Sequence, residues 1–186
     1  MNIVQPFPKE RISDISNWLK NYNEKYYVIF LIGISVGIRI SDILKLKISD
    51  MENTDRIVIK EKKTGKTKIF PLRPAVAKVV INYIKKYCDK EYQEYIFIGK
   101  KGARLDRTAV YRVLNRCMKE LGITSKTGCH SLRKYCGRAI YDQTKDLALV
   151  MSVFNHSSQA ISARYIGLTE DRIKDTYMNL DLGIAI

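Results

Sequence analysis

The sequence lacks the features that define several common classes of protein. Its four cysteines show no two-residue spacing of the kind found in zinc or redox pairs, so we expect reduced thiols and no metal site. The longest apolar runs, such as residues 28–34, are far too short to span a membrane. The first ten residues lack the pattern of a secretory signal, and no glycine-rich nucleotide loop occurs. We therefore expect a cytoplasmic protein without a cofactor.

Acidic residues are also scarce. The 186 residues include 19 Asp and Glu against 33 Lys and Arg, which gives a formal net charge of +14. A surplus of this size favours a polyanionic partner, with nucleic acid ahead of an acidic membrane. Hydrophobic residues make up 46% of the chain, which is enough to build the core of a folded domain.

The spacing of apolar residues changes along the chain from helical to alternating and back. It predicts an α+β fold that is mainly helical, with one small antiparallel hairpin, in a single domain over 1–186. The segment 95–98 is either a third strand or a buried connector. The predicted strands are 56–60 and 68–72, with a turn at Gly65; the predicted helices begin near Pro8 and Pro74 and cover about 24–36, 41–46, 110–121, 131–143, 146–154, 159–166 and 169–179.

Few residues are suited to chemistry, since the chain has only two histidines. His130 and Arg133 are three residues apart, so both project from one face of a helix start. His156 follows the end of a predicted helix, and Tyr165 comes nine residues later. Arg39 lies far upstream at a helix junction. Taken singly, each of these elements is common.

The ordered set is much less common. Gly-Ile-Arg-Ile-Ser-Asp-Ile-Leu, a Lys-Thr-Gly-Lys hairpin, His-Ser-Leu-Arg-Lys, Asn-His-Ser-Ser and Arg-Tyr follow one another between roughly residues 24 and 166. This series resembles the tyrosine recombinase (phage integrase) family, and the resemblance implies the fold of that family's catalytic domain. It also implies a role for each matching residue: Arg39 as the first catalytic arginine, Lys63 as the hairpin lysine, His130 and Arg133 as the central pair, His156 as the second histidine, Tyr165 as the nucleophile and Asp42 as a supporting acid.

These residue types suit attack on a phosphodiester. Arg39 and Arg133 can each give two hydrogen bonds to the non-bridging oxygens, where negative charge builds up. Tyr165 can form a covalent intermediate, and Lys63 can protonate the departing 5′ oxygen. His130 is suited to act on Tyr165 as a base or an orienting donor. The cationic groups then do the work that Mg²⁺ does in metal-dependent nucleases.

Some assignments have alternatives. Lys66 competes with Lys63 as the general acid, and Tyr177 competes with Tyr165, although the spacing from His156 favours Tyr165. Basic residues outside the catalytic set are either DNA contacts or a solvated surface. As DNA contacts we expect Lys62, Lys66, Arg104, Arg107 and Lys134.

The sequence departs from the family's usual pattern in three places. Asn155 replaces the usual glycine before the second histidine, and Ile166-Gly167 follows the tyrosine where many relatives have a polar residue and histidine. Only a lead-in of residues 1–23 precedes the catalytic core, where typical members carry a DNA-clamping domain. The sequence is then either a short single-domain member or a truncated one.

By resemblance, the expected function is site-specific DNA cleavage and rejoining through a 3′-phosphotyrosyl link. The expected partners are double-stranded DNA with a specific site, three further copies in a tetramer, and accessory DNA-bending proteins. The apolar end of the tail, residues 168–186, either packs on its own protomer or docks on a neighbouring one, and we favour docking. Two other functions stay open: a non-catalytic DNA-binding regulator, and an enzyme that only relaxes supercoils.

Overall fold

A computed structural model of the protein describes residues 4–51, 54–60, 67–99, 102–168, 176–181 and 183. Over these residues the chain is mainly helical with one two-stranded sheet, which confirms the predicted fold class. None of the described helices has the length and apolar character needed to cross a membrane. A 3₁₀ turn (Lys9–Arg11) is followed by α1 (Ile12–Tyr22), α2 (Glu24–Val36), α3 (Ile40–Ile43), α4 (Ile48–Met51), β1 (Arg56–Lys60), β2 (Thr67–Pro71), α5 (Pro74–Tyr87), α6 (Arg107–Glu120), α7 (Cys129–Thr144), α8 (Leu147–Phe154) and α9 (Gln159–Tyr165).

Helix α2 begins and ends where its sequence provides capping residues. The Asn23 side chain accepts a hydrogen bond from the backbone N–H of Lys25 at 3.0 Å. The helix ends at Gly37, whose φ of 64° is left-handed and therefore favours glycine. The helix is apolar around most of its circumference and packs against both α1 and α5. It therefore forms the centre of the core and ends directly before Arg39.

The sheet is the predicted hairpin. Strands β1 and β2 pair antiparallel, with Val58 opposite Ile69 and Lys60 opposite Thr67. Ile57 is fully buried, whereas Val58 and Ile69 are exposed on the other face. Pro71 is the last residue of β2, at the strand end where a missing N–H is tolerated. The tip, residues 61–66, lies outside the described residues.

The structure differs from the sequence prediction over residues 40–51, and it decides between the two alternatives for the segment 95–98. The helix expected over 41–46 is shorter and starts earlier, and α4 was not predicted at all. Along the sequence, burial alternates over these residues: Leu44 and Leu46 are buried, and Lys45 between them is exposed. This alternation does not suit a continuing helix. The segment 95–98 is a connector, held by single bridges from Tyr95 to Lys47 and from Ile98 to Arg104.

The chain divides into two compact units, Met1–Cys136 and Gly137–Ile186. In the first unit α2 and the start of α7 approach closely at Gly33. A Cβ added there would lie 2.9 Å from the Leu132 side chain, so only glycine permits this approach. The first unit also ties its N-terminal segment to α7, because the Ser131 hydroxyl donates to the Gln5 carbonyl at 2.5 Å. These contacts fix the beginning of α7.

The second unit is built around Val150, Phe154 and Ile166, all of which are buried. Gly137, in α7, faces the Phe154 ring. A Cβ at that position would lie less than 3.0 Å from both Phe154 and Ile166, which real Cβ atoms essentially never do. Glycine at 137 therefore lets the Phe154 ring pack closely on α7. Whether the two units make one domain, as the sequence predicts, stays a prediction.

Candidate active site

Arg39 lies at the turn between α2 and α3. Its backbone carbonyl accepts hydrogen bonds from the N–H groups of Asp42 and Ile43, at 2.8 and 3.1 Å, and so begins α3. The Arg39 side chain is exposed. Asp42, the expected supporting acid, is half-buried, and its carboxylate lies 3.5 Å from the Ser41 hydroxyl. The turn therefore presents an arginine to solvent from a hydrogen-bonded backbone.

Arg133 is linked to the same turn. Its Nη1 donates to the carbonyl of Gly37 at 2.5 Å, and the Arg133 side chain is half-buried on the first part of α7. A charge-assisted bond of this kind is stronger than one between neutral groups. It connects the helix that carries Arg133 to the turn that carries Arg39. The structure thus brings the two predicted arginines to one region of the first unit.

His130 lies near both arginines. Its pKa is lowered, first because packing removes water from part of the ring, although the residue as a whole remains exposed. The positive charges of Arg107, Lys134, Arg133 and Arg39 lower the pKa further, in that order. Each cation disfavours adding a proton to the imidazole. The neutral ring, which is the form able to accept a proton, is therefore favoured in the folded protein.

Arg107→Gln is expected to raise the pKa of His130, because the Arg107 charge is the largest electrostatic cause of its lowering. An NMR titration of the ring protons measures this directly, since the chain has only two histidines. Arg112→Gln removes an exposed arginine from the same helix and is the control. An Arg107→Gln protein that titrates like the wild type contradicts the electrostatic assignment.

His156 and Tyr165 come together in the second unit. Their ring centroids are 5.1 Å apart with planes at 70°, an edge-to-face arrangement. The Phe154 ring lies 5.5 Å from His156 and 5.6 Å from Tyr165, also edge to face. The imidazole Nδ1 is 3.0 Å from the hydroxyl of Ser162, which is fully buried. Tyr165 is the last residue of α9 and is half-buried, so its ring is oriented by packing.

Asn155 explains how the chain tolerates the loss of the usual glycine before His156. It has left-handed backbone angles, φ 56° and ψ 45°, which asparagine adopts more readily than most residues. The His156 N–H then donates to the Met151 carbonyl at 3.0 Å and closes the end of α8. Asparagine therefore supplies the left-handed residue that ends α8.

Replacing Asn155 tests that interpretation. Asn155→Ala is expected to lower the free energy of unfolding by about 1 kcal/mol, because alanine is strained in a left-handed conformation. Asn155→Gly is expected to stay within about 0.5 kcal/mol of the wild type, since glycine pays only an entropic cost. Chemical denaturation measures both values. Equal stability of the two variants would show that the backbone at 155 does not need this conformation.

The remaining predicted residues divide into three groups. Lys62, Lys63 and Lys66 lie outside the described residues, so their roles stay predictions. Arg104 is exposed and its guanidinium lies 5.7 Å from the centre of the Tyr95 ring, while Arg107 is exposed at the start of α6. Lys134 is only 7% exposed and burial lowers its pKa. Its expected contact with DNA also stays a prediction.

Sequence reasoning missed two features of these clusters. Arg107 was expected only as a DNA contact, but it also acts on the charge of His130. Ser162 was not selected at all. Its position three residues before Tyr165 places it on the same helical face, but this spacing alone does not distinguish it from other serines in helices.

The cysteines offer no competing nucleophile. All four are free. Burial raises the pKa of Cys129 and of Cys136 to about 11, which keeps both as thiols near neutral pH. Within the described part of the chain, no group of three His, Cys, Asp or Glu residues is placed to hold a metal ion.

Sequence comparison defines the class of protein. The model of the phage integrase family matches residues 7–172. The probable integrase/recombinase YoeC of Bacillus subtilis (strain 168) is 35% identical over 179 residues, which cover 95% of this chain and 97% of that protein. The type 1 fimbriae regulatory protein FimE of Escherichia coli (strain K12) is 29% identical over 143 residues, covering 75% and 72% of the two chains. The chain belongs to the phage integrase family, whose members include the tyrosine recombinases.

Solved structures agree on the fold. The crystal structure of the XerA recombinase superposes with a TM-score of 0.79 at 19% identity, over 96% of this chain and 64% of that one. The XerH site-specific recombinase, in a post-cleavage complex with its palindromic difH substrate, gives a TM-score of 0.74 at 21% identity. That match covers 94% of this chain and 53% of XerH. Thus this chain spans about half to two thirds of these structures.

Proposed function

We propose that this protein cleaves and rejoins DNA at specific sites through a 3′-phosphotyrosyl intermediate formed on Tyr165. The edge-to-face contact between His156 and Tyr165 is the observation that carries this proposal, because it places a phenol beside an imidazole in one packed cluster. Arg39, His130 and Arg133 form the first cluster, in the first unit, and His156 and Tyr165 form the second, in the second unit. We assign both clusters to the same cleavage reaction, which membership of the phage integrase family supports.

The first cluster stabilises the transition state. Attack on phosphorus adds negative charge to the non-bridging oxygens, and Arg39 and Arg133 donate hydrogen bonds to them. The link between Arg133 and the Gly37 carbonyl holds one guanidinium in place before DNA arrives. Burial and then the surrounding cations lower the pKa of His130, which favours the neutral ring as the base that takes the proton of Tyr165 when the phenol attacks.

The second cluster supplies the nucleophile. Tyr165 Oη forms a bond to phosphorus, the bond from phosphorus to the 5′ oxygen breaks, and the 3′ end stays attached to the protein. His156 donates a hydrogen bond to a phosphate oxygen. A 5′-hydroxyl from a partner strand then attacks the phosphotyrosine and releases Tyr165. The energy of the broken bond is kept in the intermediate, so the reaction needs no ATP, and the cationic side chains do the work that a metal ion does in metal-dependent nucleases.

The departing 5′ oxygen needs a proton, which Lys63 supplies as general acid, with Lys66 as the alternative. Replacing the lysine that is not the general acid is expected to change the cleavage rate little. Replacing the lysine that is the general acid is expected to slow cleavage by about 10²-fold. A substrate with sulfur in place of the 5′ oxygen separates the two, because a thiolate leaves without a proton. The variant at the true acid, Lys63→Ala, is expected to cleave this substrate at nearly the wild-type rate. Rescue of Lys66→Ala instead would reassign the role.

The partners follow from the same reaction. We propose that the protein binds double-stranded DNA carrying a recombination site and exchanges strands in pairs within a tetramer, with accessory DNA-bending proteins where the site requires them. Membership of the phage integrase family supports this proposal, as does the similarity in fold to XerH, whose crystal structure contains its difH substrate. Whether the outcome is integration, excision, inversion or resolution depends on the arrangement of the sites.

A nicked duplex that carries the cognate site tests the proposed function. When cleavage releases the short fragment beyond the nick, rejoining is prevented and the covalent adduct accumulates. We expect a protein–DNA adduct that survives denaturant and disappears on proteolysis. Salt-sensitive binding without any adduct would instead identify a non-catalytic DNA-binding regulator.

A further inference from the structure

One buried hydroxyl joins the second histidine to the helix of the proposed nucleophile. Ser162 is fully buried in α9, and its Oγ lies 3.0 Å from Nδ1 of His156. The same Oγ is 3.5 Å from the backbone carbonyl of Ser158, one helical turn earlier. Tyr165 follows Ser162 by three residues on the same helix. The hydroxyl therefore contacts His156 from the helix that carries Tyr165.

The hydroxyl has a single proton, and two acceptors from the described part of the chain lie within reach of it. The His156 nitrogen is the nearer of the two, at 3.0 Å against 3.5 Å for the Ser158 carbonyl. A hydrogen bond at 3.5 Å is at the limit of useful length, so donation to the imidazole is favoured. A neutral imidazole that accepts at Nδ1 must carry its own proton on Nε2.

We propose that Ser162 is a positioning residue that holds His156 in the tautomer able to donate a hydrogen bond to the phosphate. This inference rests on the proposed function, in which His156 contacts a phosphate oxygen. The opposite tautomer presents a lone pair at Nε2 and repels that oxygen. Because Ser162 is on α9, the same bond fixes the imidazole relative to the base of the Tyr165 side chain.

The tautomer is measurable on the free protein by long-range ¹H–¹⁵N NMR, which distinguishes a protonated ring nitrogen from a bare one. The chain has two histidines, and His156→Gln assigns the signals. At a pH above the histidine titration range, we expect His156 to carry its proton on Nε2. Ser162→Ala is expected to give a mixture of tautomers, and Ser157→Ala, at an exposed neighbour, the wild-type spectrum. A proton on Nδ1 in the wild type overturns the proposal without needing any variant.

Single-turnover cleavage tests the consequence. Ser162→Ala is expected to cleave about tenfold more slowly at unchanged DNA affinity, the effect of one ordinary hydrogen bond. In the His156→Gln background the same change is expected to cost nothing, because Ser162 acts through His156. An equal loss in both backgrounds means that Ser162 only supports packing and overturns the proposal.

Different results would overturn the proposed function and the role of Ser162. A wild-type protein that forms no phosphotyrosyl adduct overturns the proposed function and, with it, the catalytic purpose of Ser162. An active wild type whose His156 carries its proton on Nδ1 overturns only the assignment of Ser162.

Discussion

Tyr165→Phe is expected to abolish the covalent adduct with a nicked site while leaving DNA binding intact. The substitution removes only the phenolic oxygen, which is the atom that bonds to phosphorus. The ring remains to pack edge to face against His156 and Phe154, at 5.1 and 5.6 Å, so the fold of the second unit is preserved. Loss of the adduct then reports chemistry rather than unfolding. Denaturing gel electrophoresis measures the adduct, and a mobility shift measures binding.

Tyr177→Phe is the matched control. Tyr177 is the other tyrosine considered as nucleophile, and it is 74% exposed. It follows His156 by 21 positions rather than nine, counted along the sequence. We expect its variant to form the adduct at the wild-type rate. An adduct that persists in Tyr165→Phe and disappears in Tyr177→Phe would move the nucleophile to the C-terminal segment.

Most of the fold was predictable because periodicity records which faces are buried. Helix α2 and the hairpin followed directly from apolar spacing and from Gly37 and Pro71. The region after Arg39 was predicted less well. Two four-residue helices lie within residues 40–51, and the start of the second is held by a contact distant in sequence, the bond from the Ile48 N–H to the Glu94 carbonyl. Local spacing cannot encode a partner that is so far along the chain.

In the candidate site, too, the residues that belong to motifs were predicted, whereas residues that act through contacts outside those motifs were not. Arg39, His130 and Arg133 were selected through their motifs, and the structure brings all three together in the first unit. Arg107 acts on His130 from the start of another helix, and no sequence motif links the two residues. Ser162 is close in sequence to Tyr165, but serines in helices are common, and only the 3.0 Å distance to His156 distinguishes this one.

Asn155 shows that a change of residue in a motif can leave the backbone conformation unchanged. The sequence has asparagine at this position, where the family resemblance leads us to expect glycine. The structure shows left-handed angles at Asn155, so the departure preserves the backbone rather than altering it. A departure from a motif should therefore be judged by the backbone conformation that the motif requires.

Arg133→Ala is expected to slow cleavage by about 10³-fold, at the upper end of the loss seen for one preorganised donor, because the guanidinium supplies two. DNA affinity is expected to fall only slightly, since one positive charge is lost among many. Single-turnover cleavage and a binding titration at fixed salt measure the two effects.

Two further variants separate geometry from charge. Arg133→Lys keeps the charge but lacks the planar fork, so we expect cleavage to remain at least about 10²-fold below wild type. Arg138→Lys makes the same change at an arginine five residues further along α7, which pairs with Asp142 at 2.9 Å. We expect that control to cleave normally. If Arg133→Lys also cleaves normally, a single positive charge is sufficient at position 133, and the two-donor arrangement that defines its proposed role is wrong.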